Sequence, residues 1–408
     1  MNLKAIRDVD RRLMDFVGRF SSLFSRSESR LWCSTYLKGL LLDGDRKSMA
    51  PMSERLGVAS KNLQQFVCYT NWESQTLQLQ AIDVLVEKLK PEPGVLILDD
   101  TSLPKKGIHS VGVSRQYCGA LGKVSNCQSI VSWHFANKKY HFPLLAELYL
   151  PQSWTGDCTR MESSGVPKRR FVFQEKWKIA LDLLERLKSK VKFEVIAMDA
   201  GYGEIREFLR EIDRRGFSFV AQIPESHCFW PHDVHIKTEQ PKTGRPRQFP
   251  GVMDKAQSPL SAKKWALHLG ERCSWRTVKI PIKSQKTAEF KAIRVRDSFH
   301  QNRLRAGKEM WLLIEKFGDG FKFYVSNLPA NTEISELAKY AHSRWKIEQG
   351  YQQLKEELGL DHFEGRSWQG LHHHITLCFL AYDFLLQIQQ LQTSKKKLPE
   401  DFDASIRS

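Results

Sequence analysis

Apolar residues recur at helical spacing early in the chain, in Leu13, Phe16, Val17 and Phe20 and again in Leu31, Tyr36, Leu37 and Leu40. This spacing predicts an all-helical region over residues 1–90. Within it, Met49 to Val67 reads as helix, Gly-containing turn and helix, with Ser60 as the expected N-cap. The layout suits a helix-turn-helix whose second helix shows Lys61, Asn62, Gln64 and Gln65 to a DNA groove. Taken alone, so short a segment is better read as an ordinary helical hairpin.

From Gly94 the pattern changes to strands. Val95-Leu96-Ile97-Leu98 is a buried apolar run that ends in Asp99-Asp100. Gln128–Phe135 and Phe142–Leu150 read as two more strands. A helix follows over Val172–Lys190, carried by Trp177, Ala180, Leu181, Leu184 and Leu187. Strand Phe193–Met198 leads into Asp199, and a helix at Glu204–Arg214 and a strand at Ser218–Ile223 complete the run. The order β-β-β-α-β-α-β is that of the ribonuclease-H-like fold, an α/β mixed sheet in which crossovers add parallel strands to three antiparallel ones. Such an order by itself says little about function.

Residues 224 to 328 break the alternation. Trp275–Ile280 and Phe290–Arg296 tend to alternate apolar with basic residues, as half-exposed strands do. Lys237, Lys242, Arg245, Arg247, Lys255, Lys263 and Lys264 lie in the same stretch. It reads as a basic β-rich insertion. Gly244-Arg245-Pro246-Arg247 has the composition of a minor-groove hook, although a solvated Pro-Arg loop is the plainer reading. Helical sequence returns from Glu333 to Leu358 and again from Leu371 to Gln392. The expected layout is therefore a helical DNA-binding domain at 1–90, a catalytic core at 91–223, the insertion at 224–328, core helices at 329–394 and a frayed tail at 395–408.

Charge narrows the partners. The 408 residues carry 63 Lys and Arg against 46 Asp and Glu, a formal net charge of +17. Such a surplus attracts polyanions at long range. The eight cysteines include no C-x-x-C pair and no set with zinc-finger spacing. Reduced thiols and a cytoplasmic, nucleoid-associated location are expected. No run approaches the roughly 20 apolar residues of a membrane span.

Three acids stand where chemistry is built. Asp100 and Asp199 each end a hydrophobic strand, and ligand sites in sheets with crossovers gather at the carboxyl ends of strands. Glu348 lies on the 333–358 helix three residues after Trp345, beside a stripe formed by Ile334, Leu337, Ala341 and Trp345. Arg344 and Lys355, four before it and seven after, fall within roughly 40° of it around a regular helix. Three carboxylates can hold two Mg²⁺ or Mn²⁺ ions, hard cations that prefer oxygen ligands. Two such ions can activate a water or 3′-hydroxyl and stabilise the leaving oxygen of a phosphodiester. Of the two adjacent acids, Asp100 is taken as the ligand and Asp99 as structural. The plain readings are an N-cap for Asp199 and a surface ion pair for Arg344 and Glu348.

The motifs resemble a known family. Asp99-Asp100-Thr101-Ser102, Lys105-Lys106-Gly107, Arg115-Gln116-Tyr117, Gly122-Lys123 and Asn126-Cys127-Gln128 are similar to the first catalytic block of insertion-sequence DDE transposases of the 701 type. Met198-Asp199-Ala200-Gly201-Tyr202-Gly203 resembles the second block. Arg344-Trp345-Lys346-Ile347-Glu348 with Lys355 and Gly359 to Trp368 resembles the third. The resemblance implies a ribonuclease-H-like core and excision and insertion of a mobile element at its terminal inverted repeats. It also implies target DNA as a partner and a homodimer in the DNA complex. Within the wider group's Tyr, Arg, Glu, Lys signature, the tyrosine departs: Ala341 holds its place and Tyr340 lies one residue earlier, about 100° away. Lys105, Lys106, Arg115 and Lys123 are the expected backbone clamps near Asp100, with Lys61 and Gln64 on the helix-turn-helix. His372-His373-His374 reads as a phosphate-contacting or solvated triplet. Trp230, Trp265, Trp275 and Trp311 read as core, or as platforms for a flipped base.

Overall fold

The computed structural model describes residues 3–396 apart from 238, 240–248, 254–256, 271–272, 281–286 and 299–303. The Gly244–Arg247 segment, Lys242, Lys255 and the tail beyond Lys396 lie outside the described residues. Helices come first: α1 (Leu3–Gly18), α2 (Ser27–Leu41), α3 (Met49–Leu56), α4 (Ser60–Cys68) and α5 (Ser74–Leu89). α3 stops at Gly57, whose φ of 65° is the left-handed conformation that glycine adopts cheaply. Ser60 is not the cap of α4 but its first helical residue; Ala59 precedes it and no side chain caps the turn. Leu63, Phe66 and Val67 form the buried stripe of α4, which leaves Lys61, Asn62, Gln64 and Gln65 exposed.

Strands β1 (Gly94–Pro104), β2 (Ser114–Cys118), β3 (Lys123–Ala136) and β4 (His141–Leu148) follow. After them come α6 (Gln152–Thr155), α7 (Cys158–Ser163), α8 (Lys176–Leu187), β5 (Phe193–Met198), α9 (Ala200–Gly203), α10 (Arg206–Arg214) and β6 (Phe219–Ile223). The next stretch holds β7 (Cys228–Pro231), β8 (Ile236–Lys237), β9 (Gly251–Val252), β10 (Leu260–Ser261), α11 (Ala262–Leu269), β11 (Arg276–Lys279), β12 (Thr287–Ser298), β13 (Ala306–Phe317) and β14 (Gly320–Ser326). α12 (Ile334–Ser343), α13 (Trp345–Gln352), a π-turn at Gln353–Glu357 and α14 (Trp368–Lys396) end the chain. Two differences from the sequence pattern stand out. β2 is a strand that the apolar pattern does not mark. The expected 333–358 helix is broken at Arg344 and widens into a π-turn after Gln352.

The chain divides into two units. The first contains residues 1–93, 99–192 and 347–408. Here β3 pairs antiparallel with β2 along its first part, Ser114 with Cys127 through Cys118 with Lys123, and with β4 along the rest. On its other edge lies β1: the Lys105 amide donates to Asn126 O at 2.9 Å. Six residues back along β1, Asp99 is joined through the Tyr351 hydroxyl to Ser132, six residues on along β3. The two strands therefore run in opposite directions. α8 covers the sheet, with Trp133 Nε1 donating to Ala180 O at 2.9 Å.

α14 is the buried centre of the helical layer, packed against α2, α4, α5 and β4. Its histidines are core residues, which corrects the expectation of solvent or phosphate contact. His372, His373 and His374 are all buried. His373 lies 2.8 Å from both Val67 O and Trp72 O, and His374 Nε2 lies 3.0 Å from Gly359 O.

In the second unit, residues 94–98 and 193–346, the first residues of β1 pair in parallel with β5, and β5 with β6. β14, β13, β12, β7 and β10 continue the sheet antiparallel, with β11 on the edge of β12. The four tryptophans are packed. Trp230 and Trp265 are buried, Trp275 stacks on Phe321, and Trp311 Nε1 donates to Pro329 O at 2.9 Å.

Candidate active site

Asp99 and Asp100 lie mid-way along β1, where the apolar run Val95–Leu98 gives way to half-buried positions. Asp99 Oδ1 accepts the Asp100 amide at 2.7 Å. The Asp100 carboxylate is ion-paired with the Lys176 ammonium at the start of α8. Lys176 also lies over the Tyr149 ring, 5.3 Å from its centroid. Burial raises the Tyr149 phenol above its usual range, while the Lys176 charge opposes that shift.

α13 is fastened along the same strand. The Tyr351 hydroxyl donates to Asp99 O at 3.3 Å and lies 2.6 Å from Ser132 Oγ. One turn further, Lys355 Nζ donates to Ser102 O at 3.1 Å. Burial lowers the Lys355 amine below the ordinary lysine range. Glu348, exposed in the first turn of α13, is three residues before Tyr351 and so about 60° from it around the axis. The first unit thus brings the Glu348 helix onto the strand that carries Asp100. Gly350 on the same helix lets it lie close to β4, because a Cβ there would meet the His141 ring.

In the second unit, Asp199 follows β5 and caps α9, its Oδ1 accepting the Tyr202 amide at 3.1 Å. The N-cap reading of Asp199 thus holds, with its second carboxylate oxygen outside that bond. The register pairs Leu98 with Met198, and Asp199 follows Met198 in sequence. Gly203 is required here, since a Cβ would sit on the main-chain oxygen of Gln222 in β6. Arg344, at the break between α12 and α13, also belongs to this unit.

The remaining basic candidates are spread over the first unit. Lys106, Arg115 and Lys123 are exposed near the β2–β3 hairpin, and Lys61 and Gln64 are exposed on α4. Lys105 is held instead, its Nζ donating to Phe363 O at 2.5 Å, and burial pushes its amine down to about 8. Tyr340, the displaced signature tyrosine, donates to Glu194 at 3.0 Å and Glu336 at 3.1 Å and is buried. Its hydroxyl is committed within the protein.

Residues 19–287 match the family model of the DDE superfamily endonucleases. The chain belongs to this superfamily. Asp100 and Asp199 fall inside the matched residues, and Glu348 lies beyond them. A probable transposase for insertion sequence element IS701 from Microchaete diplosiphon is 28% identical over 192 residues. That alignment covers 46% of this chain and 47% of the relative, so the chain spans about half the length of the curated relative it matches. The mixed α/β architecture of this DDE endonuclease is compatible with a ribonuclease-H-like catalytic domain.

Sequence pattern did not point to Lys176 or Tyr351. Tyr351 carried a usable signal, since i and i+3 residues share a helix face and Glu348 was already singled out. Nothing in the sequence around Lys176 marks it as the partner of Asp100. Among the described residues, no three His, Cys, Asp or Glu side chains are grouped closely enough to hold an ion. The donor chemistry itself suits a hard cation, since Asp100, Asp199 and Glu348 all offer carboxylate oxygen. No helix among the described residues is long and apolar enough to cross a membrane.

Proposed function

We propose that this DDE endonuclease is a DNA transposase that binds the ends of an insertion sequence and carries out metal-dependent cleavage and strand transfer. The observation that supports this reading is the fastening of α13, the helix that carries Glu348, to β1, the strand that carries Asp100, through Tyr351. Asp100, Asp199 and Glu348 would hold two Mg²⁺ or Mn²⁺ ions, which when bound supply Lewis-acid activation of the nucleophile and charge stabilisation at the phosphodiester. The chain's own residues do the rest. Lys176 orients the Asp100 carboxylate through their ion pair. Tyr351 and Lys355 fix the height of α13 on β1. Arg344, Lys355, Lys105, Lys106, Arg115 and Lys123 contribute positive charge for DNA phosphates, and Lys61 and Gln64 on α4 belong to a helical end-binding domain.

The terminal inverted repeats and the target DNA are the partners, and two copies act together on paired ends in the cytoplasm. A strand-transfer assay on labelled end DNA tests this reading. Joined product supports it. Cleavage without joining would make the protein a nuclease, and sequence-specific binding without cleavage a transposase-derived regulator.

A further inference from the structure

The β2–β3 hairpin carries an apolar surface that is left exposed among the described residues. Tyr117 and Val124 face each other across the strands and are 67% and 53% exposed. Leu121, in the turn between them, is 47% exposed. Cross-strand partners share a face, so the same side also shows the Arg115–Asn126 pair. Gly122 closes the turn at φ 62°. The strand pattern is the reverse of a solubilised hairpin end, which would carry charge where Tyr117, Leu121 and Val124 stand.

The surroundings specify the partner. Between Asp100 and Glu147 the chain contains no Asp or Glu, while Lys105, Lys106, Arg115 and Lys123 lie at or near this end of the sheet. An acid-free, cationic arm with an apolar tip is complementary to a polyanion that has an apolar interior. That describes duplex DNA, in which wedges of apolar side chains part base steps while cations hold the flanking phosphates.

We propose that the β2–β3 hairpin is a DNA-inserting arm, with the Tyr117–Val124 rung and Leu121 entering a base step and Arg115, Lys106 and Lys123 on the adjoining phosphates. The inference rests on the transposase reading for its substrate. It also predicts a position. Asp100 is five residues from Lys105 on β1, and the tip lies three to four residues beyond Asn126 on β3. At about 3.3 Å per residue this spans roughly 27 Å. That is about eight nucleotide steps of roughly 3.4 Å.

The test uses duplexes of the element end with 2-aminopurine placed singly at each of the first dozen or so positions from the cleaved phosphodiester. Wild-type protein should raise fluorescence several-fold at a step near the eighth position. Tyr117→Ser/Leu121→Ser/Val124→Ser, all at exposed positions, should abolish that signal and weaken end binding about tenfold or more. A mismatch at the same step should restore the variant's binding to within about twofold of wild type, because the unpaired step no longer has to be opened.

Wild type that binds and cleaves the end with no fluorescence change overturns the arm. So does a triple variant that matches wild type on paired DNA, or one whose only defect is loss of a dimer that wild type forms without DNA. Wild type that binds no end DNA at all overturns the transposase reading instead.

Discussion

The Tyr351 hydroxyl donates to the main-chain oxygen of Asp99 at 3.3 Å, next to the acid assigned to catalysis. A second contact, 2.6 Å to Ser132 Oγ, ties the same hydroxyl to β3. Tyr351→Phe removes one oxygen and leaves the ring packing. The expected result is cleavage slowed about tenfold with end-DNA affinity unchanged. The stability loss should be about 1–2 kcal/mol, that of a buried hydrogen bond. Equal loss of cleavage and binding would show that the residue does not act through α13.

Gly203→Ala should destabilise the protein by at least about 1–3 kcal/mol, because the new methyl meets the backbone oxygen of Gln222 and not a movable side chain. A chemical denaturation midpoint unchanged from wild type would contradict the packing of α9 on β6.

Acid should weaken the fold through His374. Its Nδ1 lies 2.9 Å from the Tyr36 hydroxyl and its Nε2 3.0 Å from Gly359 O, a pattern that a neutral ring satisfies fully. Burial lowers this imidazole to about 4. The unfolded chain, with an imidazole near 6.5, therefore binds the proton first as pH falls. The contribution is fully present above about pH 6.5 and is lost as pH falls toward 4, on the order of 3 kcal/mol in all. Urea midpoints measured between these limits should fall steadily with pH in wild type and more weakly in His374→Gln. Parallel curves would contradict the assignment.

Much of this architecture is legible in the sequence, for physical reasons that differ between elements. Val95–Leu98 and Val195–Met198 are buried strands and read as apolar runs, so the acids that end them are easy to place. β2 is not legible, because Ser114-Arg115-Gln116-Tyr117 is a polar strand at the edge of the sheet. The break at Arg344 is hidden too: Leu337, Ile347, Tyr351 and Leu354 are buried on both sides of it, and the spacing alone suggests one helix. His372–His374 read as surface because their partners are carbonyls from Val67, Trp72, Trp368 and Gly359, mostly distant in sequence.

Lys355 holds Ser102 O, two residues from Asp100 in sequence, and is partly buried, so it is a tie on β1. Lys355→Met keeps the stem. It should slow cleavage about tenfold and lower the salt dependence of end binding by about one phosphate. A fall in melting temperature with an unchanged salt slope would assign Lys355 to structure alone.

Cleavage of a labelled element-end duplex in Mg²⁺ or Mn²⁺, by wild type and by Asp100→Asn, Asp199→Asn and Glu348→Gln, tests the catalytic assignment most directly. Each single variant should lose at least about a hundredfold in cleavage rate while keeping end-DNA affinity within about threefold. Near-wild-type cleavage by any one of the three would contradict the assignment of that acid.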